Sequence, residues 1–248
     1  MIWGLEFFDT STVENMQGMF MDASSLEWLD LSNFETHNVT DMQVMFANTH
    51  NLVWLYWDIE RFDTSNVRYM GGMFMGASSL QHPEFGIGLL ERAFSMPASN
   101  FNTSNVIDMG GMFYGASSLQ WLDLSRFDTS NVMSMHRMFY GASSLTSLNL
   151  SSFDTSNVSD MNLMFAGTHA LTSLDLSSFD TSNVFSMHRM FQGASSLISL
   201  NLSHFEMYSV QATCGMFDDT ALYPNNVILP PSWPGFICVW WGCWCAFS

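Results

Sequence analysis

The chain of 248 residues contains no lysine and only six arginines, against 23 aspartates and glutamates, and its formal net charge is −17. Charged residues make up 12% of the sequence, about half of the roughly 25% that is usual in globular proteins. Because proteins bind nucleic-acid phosphates through Lys and Arg, this shortage argues against a nucleic-acid partner. It argues equally against an anionic membrane surface. The apolar share of 48% is nevertheless enough to build a sizeable core.

The sequence also lacks the motifs of an enzyme or of a metal site. No Ser-His-Asp or Cys-His arrangement forms at a defensible spacing, so we predict no catalytic residue and no enzymatic activity. All four cysteines lie near the C-terminus, Cys214, Cys238, Cys243 and Cys245, and their spacing is a weak match to a zinc site. We expect no cofactor and no metal, although a column of aspartates leaves a divalent cation as an open alternative.

What the sequence does contain is a repeat. The dipeptide Met-Phe recurs eight times, mostly every 26 residues, starting at Met19, Met45, Met73, Met112, Met138, Met164, Met190 and Met216. Such a period is typical of solenoids, in which each unit packs only against its neighbours. We assign residues 1–222 to an eight-copy solenoid with an insertion at about residues 82–94 in the third copy.

Each unit divides into two predicted elements. The spacing of Val158, Met161 and Met164 predicts one face of a short helix, which Gly167 ends. The L-x-x-L-x-L segment that follows alternates with period two, which predicts a short strand. We expect the Met side chains to fill the core, since the flexible thioether suits gaps between stacked units. A column of Phe residues is expected to form a second buried spine: Phe34, Phe62, Phe101, Phe127, Phe153, Phe179 and Phe205.

The unit F-D-T-S-N-V-x-x-M-x-x-M-F-x-G-A-S-S-L-x-x-L-D-L-S resembles the BspA-like, DUF285-type repeat of bacterial surface proteins. The resemblance implies an α/β, leucine-rich-repeat-like solenoid with a parallel sheet on its concave side and short helices on its convex side. It also implies a cell-surface or secreted location and a host or neighbouring-cell protein or glycan as partner. Phe153 stands where leucine-rich repeats usually place Asn, so we expect the D-T-S-N segment to satisfy the turn backbone through local side-chain bonds.

Both ends depart from the repeat. The N-terminus begins inside a predicted strand without a polar capping unit or a signal peptide, so we expect a fragment or a late start. Residues 223–248 are uncharged and rich in Trp, Cys and Pro. Three interpretations of this tail stay open: an out-of-frame, non-native sequence, a hydrophobic cap, or a membrane anchor. Its prolines leave fewer apolar residues in a row than the roughly 20 that a spanning helix needs.

The candidate sites are columns, because stacking brings equivalent positions to within about 5 Å of each other. On the predicted sheet, exposed Trp beside Asp is a composition that holds a sugar ring or a protein loop. The candidate ligand-binding residues are Trp28, Trp54, Trp121, Asp30, Tyr56 and Asp123. Insertions in repeat arrays often lie on the binding side, and the candidate contacts there are Phe85, Leu89 and Arg92. We therefore predict a non-enzymatic interaction or adhesion module that uses the concave face.

Two other functions compete with this prediction. The Trp side chains have a purely structural role if they only cover a poorly capped end, and the chain is then a spacer without a ligand. A third hypothesis is an ice-binding array, which rests on the Thr column Thr10, Thr36, Thr64, Thr103, Thr129, Thr155 and Thr181 and on fold-level analogy alone. The neighbouring Asp128, Asp154 and Asp180 are expected to cap turns.

Overall fold

The computed structural model describes residues 5–58, 60–80 and 101–231. Its strands are β1 (Trp28–Asp30), β2 (Trp54–Tyr56), β3 (Trp121–Asp123), β4 (Ser147–Asn149), β5 (Ser173–Asp175), β6 (Ser199–Asn201) and β7 (Val227–Ile228). They pair in parallel as β1–β2, β3–β4 and β5–β6–β7. Equivalent leucines face each other across the pairs, for example Leu174 and Leu200. The prediction of stacked repeat units is confirmed.

A second line of contacts joins all eight units, which we call rungs. Parallel bridges connect one residue of each rung with its equivalent in the next, in the order Asn15, Asp41, Tyr69, Asp108, Ser134, Asp160, Ser186 and Ala212. Tyr69 bridges both Asp41 and Asp108, so the repeat resumes in register after the insertion in the third copy.

The helices predicted for the convex side do not form in the described residues, so the α/β class is wrong for this part of the chain. The helical segments found there are two 3₁₀ turns of three residues each, Leu5–Phe7 and Pro224–Asn226. In the Met-Phe segment, alternate N–H groups donate to the next rung, as Phe46 N–H does to the Met73 carbonyl at 2.9 Å. The N–H groups between them close turns of four residues, as Ala47 does with Val44. An α-helix needs every N–H for its own i−4 carbonyl.

Backbone dihedrals explain why a helix is impossible here. Two residues per rung, four positions apart, have a positive φ, and an α-helix requires a φ near −63°. The first position holds Gly18, Val44, Gly72, Gly111, Arg137, Leu163, Arg189 and Gly215. The second holds Asp22, Asn48, Gly76, Gly115, Gly141, Gly167, Gly193 and Asp219. Gly167 was predicted to end a helix, and it instead occupies a left-handed turn position with a φ of +72°.

The core consists of columns of identical side chains. Eight phenylalanines stack with ring centroids 5.4 to 5.8 Å apart: Phe20, Phe46, Phe74, Phe113, Phe139, Phe165, Phe191 and Phe217. The seven phenylalanines of the predicted spine are buried too, and so are most methionines of the repeat. The expectation that Met and Phe fill the core is confirmed.

The paired sheet continues past residue 222. Val227 of β7 faces Leu200 of β6 and is buried with the core. Cys214 is disulfide-bonded. Residues 232–248 of the tail lie outside the described residues. Within residues 5–58, 60–80 and 101–231, none of the helical segments has the length and hydrophobicity needed to cross a bilayer.

Candidate functional site

The alternation of β1 and β2 places the candidate tryptophans on the outer face of the sheet. Leu29 lies in the core, so its neighbours Trp28 and Asp30 project to the opposite side. Trp28 and Trp54 are register partners on paired strands. Trp28 is half-buried, whereas 52% of Trp54 is exposed. The structure therefore brings these two indole side chains together on one outward face.

Trp121 lies on the same column but at a distance from this pair. Its register partner is Ser147, and 50% of its surface is exposed. The bridge order places the rung of Tyr69 between the rungs that carry Trp54 and Trp121. The strand position of that intervening rung falls within residues 81–100, which lie outside the described residues. The candidate contacts Phe85, Leu89 and Arg92 lie in that same segment.

The polar candidates lie on the same strands as the tryptophans. Asp30 is the register partner of Tyr56, and Asp123 is the partner of Asn149 through its backbone. One carboxylate oxygen of Asp30 accepts a hydrogen bond from the Ser32 N–H at 2.8 Å. Asp30 therefore fixes the turn after β1, in addition to the ligand-binding role predicted from its position.

The predicted turn-capping role of the aspartate column is confirmed. Asp128, Asp154 and Asp180 each accept a hydrogen bond from the N–H two residues later, at 2.9 to 3.0 Å. Two hydrogen bonds from Ser156 hold the pKa of the Asp154 carboxyl below its usual value; the bond from the Ser156 hydroxyl has the larger effect and the bond from its N–H the smaller. Among the described residues, no three His, Cys, Asp or Glu side chains gather into a metal-binding group.

The threonine column faces the interior. All seven of its members are between 0% and 3% exposed. Each hydroxyl donates to a backbone carbonyl of the next rung, as Thr155 does to Asp180 at 2.8 Å. Since a buried hydroxyl cannot order water at a surface, the ice-binding hypothesis is wrong. The D-T-S-N segment does satisfy the turn backbone: its Asp side chains bond locally, as Asp154 does with the Ser156 N–H, and its Thr hydroxyls bond to the next rung.

Three of the described histidines, His50, His169 and His204, contact the backbone of a neighbouring rung. His50 and His169 each place Nδ1 within 2.7 to 2.8 Å of the glycine carbonyl of the next rung, Gly76 and Gly193. His136 places Nδ1 2.9 Å from the Ser134 hydroxyl. In a catalytic triad the serine contacts Nε2 and Nδ1 belongs to the acid, so this pair lacks the geometry of a triad.

A groove on another face was not predicted from the sequence. It has a volume of about 480 Å³ and is lined by Asn38, Thr40, Asn66, Arg68, Asn105, Ile107 and Asn131. We call it the Asn groove. Asn66 and Asn131 end D-T-S-N, and Asn38 and Asn105 end the related E-T-H-N and N-T-S-N, so their regular recurrence in the sequence was a visible signal. Their shared hydrogen bond to the preceding rung shows that they form a column of their own: each Nδ2 lies 2.6 to 2.7 Å from a carbonyl there.

The chain is similar to a known protein family and to solved structures. The family model described as "Mycoplasma protein of unknown function, DUF285" matches residues 3–87, 90–172 and 144–230. No curated protein matches the chain. A solved leucine-rich repeat protein from Bacteroides ovatus ATCC 8483 is 16% identical over 78% of this chain, with a TM-score of 0.29. The match spans 58% of that protein's length.

Proposed function

The chain belongs to the DUF285 family, and we propose that it is a non-enzymatic interaction module that binds a protein or glycan on the outer face of its repeat sheet. The observation that carries the proposal is the Trp28–Trp54 pair, which lies in register on β1 and β2. Trp54 is half exposed although Trp is a costly side chain to leave in water. A ligand that covers the pair removes this apolar surface from water, which favours binding.

The composition of the face supports a partner with both apolar and polar groups. Indole rings present flat apolar surfaces to sugar rings or to side chains of a protein loop. Asp30 and Tyr56 stand beside the pair on the same strands and add polar groups. As part of the proposal, the partner is a host or neighbouring-cell molecule and the chain works at the cell surface or after secretion.

The test is a binding screen of the full chain on an array of immobilised glycans and purified extracellular proteins. We expect at least one ligand whose affinity falls when Trp28→Ala, Trp54→Ala or Trp121→Ala is introduced. Phe185→Ala is the matched control, because Phe185 is also 52% exposed but belongs to another column. Equal affinity for all three Trp variants and the wild type rejects the patch, and a screen without ligands favours the spacer function.

A further inference from the structure

The Asn groove differs in chemistry from the Trp face, and we propose that it is a second binding site, for a glycan that carries a carboxylate. The protein has a net charge of −17, yet none of the seven residues that line this groove is acidic. They comprise four amides, one hydroxyl, one guanidinium and one apolar side chain. A cationic centre surrounded by amides is the arrangement that suits an anionic group next to hydroxyls.

The four amides are already fixed in place. Asn66 donates from Nδ2 to the His37 carbonyl at 2.6 Å, and Asn105 donates to the Ser65 carbonyl at 2.7 Å. Each of these bonds uses one of the two Nδ2 hydrogens, which leaves the other hydrogen and the Oδ1 oxygen for a ligand. Sugar hydroxyls both donate and accept, so they match this pair of groups. Because the amides are held before binding, little side-chain entropy is lost.

Arg68 supplies the positive charge of the groove. Its side chain is exposed, while its backbone N–H is held by the Thr40 carbonyl at 2.8 Å. A guanidinium binds a carboxylate through two parallel hydrogen bonds, which fixes orientation as well as position. Ile107 lies one rung further on and is half-buried, so it offers an apolar surface to the face of a sugar ring.

The spacing favours a glycan over an acidic peptide. Successive asparagines stand one rung apart, which is about 4.8 Å for parallel backbone pairing. An extended peptide presents the groups on one side every two residues, or about 6.6 Å. The polar groups of the peptide are therefore spaced too widely to meet the amides of successive rungs. A sugar carries hydroxyls around its whole ring and meets no such restriction.

The experiment measures binding of the full chain to trigalacturonate and to 3′-sialyllactose by isothermal titration calorimetry at low salt. We expect at least one of these carboxylated sugars to bind, and its methyl ester, which lacks the charge, to bind at least tenfold more weakly. Arg68→Gln is expected to raise the Kd about tenfold, in line with the loss of a charged hydrogen-bond pair. Arg68→Lys keeps the charge but cannot donate two parallel hydrogen bonds to a carboxylate, and it is expected to have an intermediate Kd.

The control variant is Trp54→Ala, which alters the proposed sheet-face site and is expected to leave binding of the carboxylated sugars unchanged. Loss of binding in Trp54→Ala but not in Arg68→Gln overturns the proposal that the sugars bind in the Asn groove, and it supports binding on the sheet face. No binding of either sugar, or an equal Kd for Arg68→Gln and wild type, also overturns the proposal. Tetraglutamate that binds through Arg68 as tightly as the sugars overturns the assignment to a glycan.

Discussion

The hydroxyl of Thr181 donates a hydrogen bond to the Glu206 carbonyl at 2.9 Å and accepts one from the Glu206 N–H at 2.7 Å. One buried side chain thus satisfies both backbone groups of a residue in the next rung. Thr181→Val keeps the shape but removes both bonds, and we expect it to lower the free energy of unfolding by about 1–3 kcal/mol. Urea denaturation followed by circular dichroism measures this change.

Thr181→Ser is the matched control for that variant. It keeps the hydroxyl and loses one buried methyl group, so we expect a smaller loss, about 1 kcal/mol. A Ser variant that is less stable than the Val variant would show that packing, and not the paired hydrogen bonds, dominates at this position.

Gly72 offers a second prediction, because it combines a positive φ of +63° with a close neighbour. A Cβ at this position would lie 2.9 Å from Cγ1 of Val44. Gly72→Ala is therefore expected to cost more than the roughly 1–2 kcal/mol of left-handed strain alone. Gly111→Ala is the control, since its φ is +62° but its nearest atom would be 3.5 Å away. In a Val44→Gly background, the cost of Gly72→Ala should fall to that of Gly111→Ala in thermal or urea unfolding.

The Phe stack gives a third prediction. Phe139 is fully buried between Phe113 and Phe165, at centroid distances of 5.8 and 5.6 Å. Phe139→Ala leaves a cavity in the middle of the stack and is expected to lower the free energy of unfolding by about 3–5 kcal/mol. Phe185→Ala removes an exposed ring and is expected to change it by less than about 0.5 kcal/mol. Similar losses for the two variants in chemical denaturation would contradict a rigid stacked core.

Acid sensitivity is the fourth prediction. The pKa of Asp154 is lowered by hydrogen bonds from Ser156, and that of Asp175 chiefly by the Ser177 N–H. A carboxyl whose pKa is lower in the folded than in the unfolded state stabilises the fold at pH values above its ordinary pKa of 3.8. This stabilisation is lost as the pH falls below the unfolded pKa and then below the folded pKa. Asp154→Asn keeps an acceptor oxygen and cannot titrate. We expect its Tm to fall less than that of the wild type between about pH 5 and pH 3.

The pair Asp154→Asn and Asp175→Asn together should reduce the acid dependence further, since the two carboxyls bond to different turns. Identical pH profiles for the wild type and the double variant would show that these hydrogen bonds do not couple protonation to folding.

The period, the parallel pairing and the buried columns were all predictable from the sequence, because a repeated apolar position must find the same environment in every rung. The helix was not. Val158 and Met161 are three residues apart, a spacing that fits an α-helix. Successive four-residue turns also bring every third side chain to the interior, as the bond from Met164 N–H to the Met161 carbonyl shows. A glycine at position 111 and its equivalents was the available sign of a positive φ, but Leu163 and Arg189 share that backbone conformation and conceal it.

The position of the candidate residues on the sheet could be predicted in part from the sequence. The strand alternation was enough to place Trp28 and Trp54 on one outward face, whereas the Asn groove depends on how the turns of four rungs align. The direction of the threonine side chains could not be derived from polarity, because hydroxyls near a turn occur both in water and in buried backbone bonds. Only the contact from Thr155 to Asp180 in the next rung decides between them.

The two side-chain ladders point in opposite directions along the solenoid. Thr155 reaches forward to Asp180, and Asn157 reaches back to the Ser130 carbonyl. Both ladders recur at the six junctions between the first seven rungs, from Thr10 and Asn38 to Thr155 and Asn183. A 26-residue unit that is duplicated or lost within this part of the array restores the same hydrogen-bond partners on either side. Such an array can lengthen or shorten in evolution by whole units without a compensating substitution at the junctions, which lets its length change while the contacts between units stay the same.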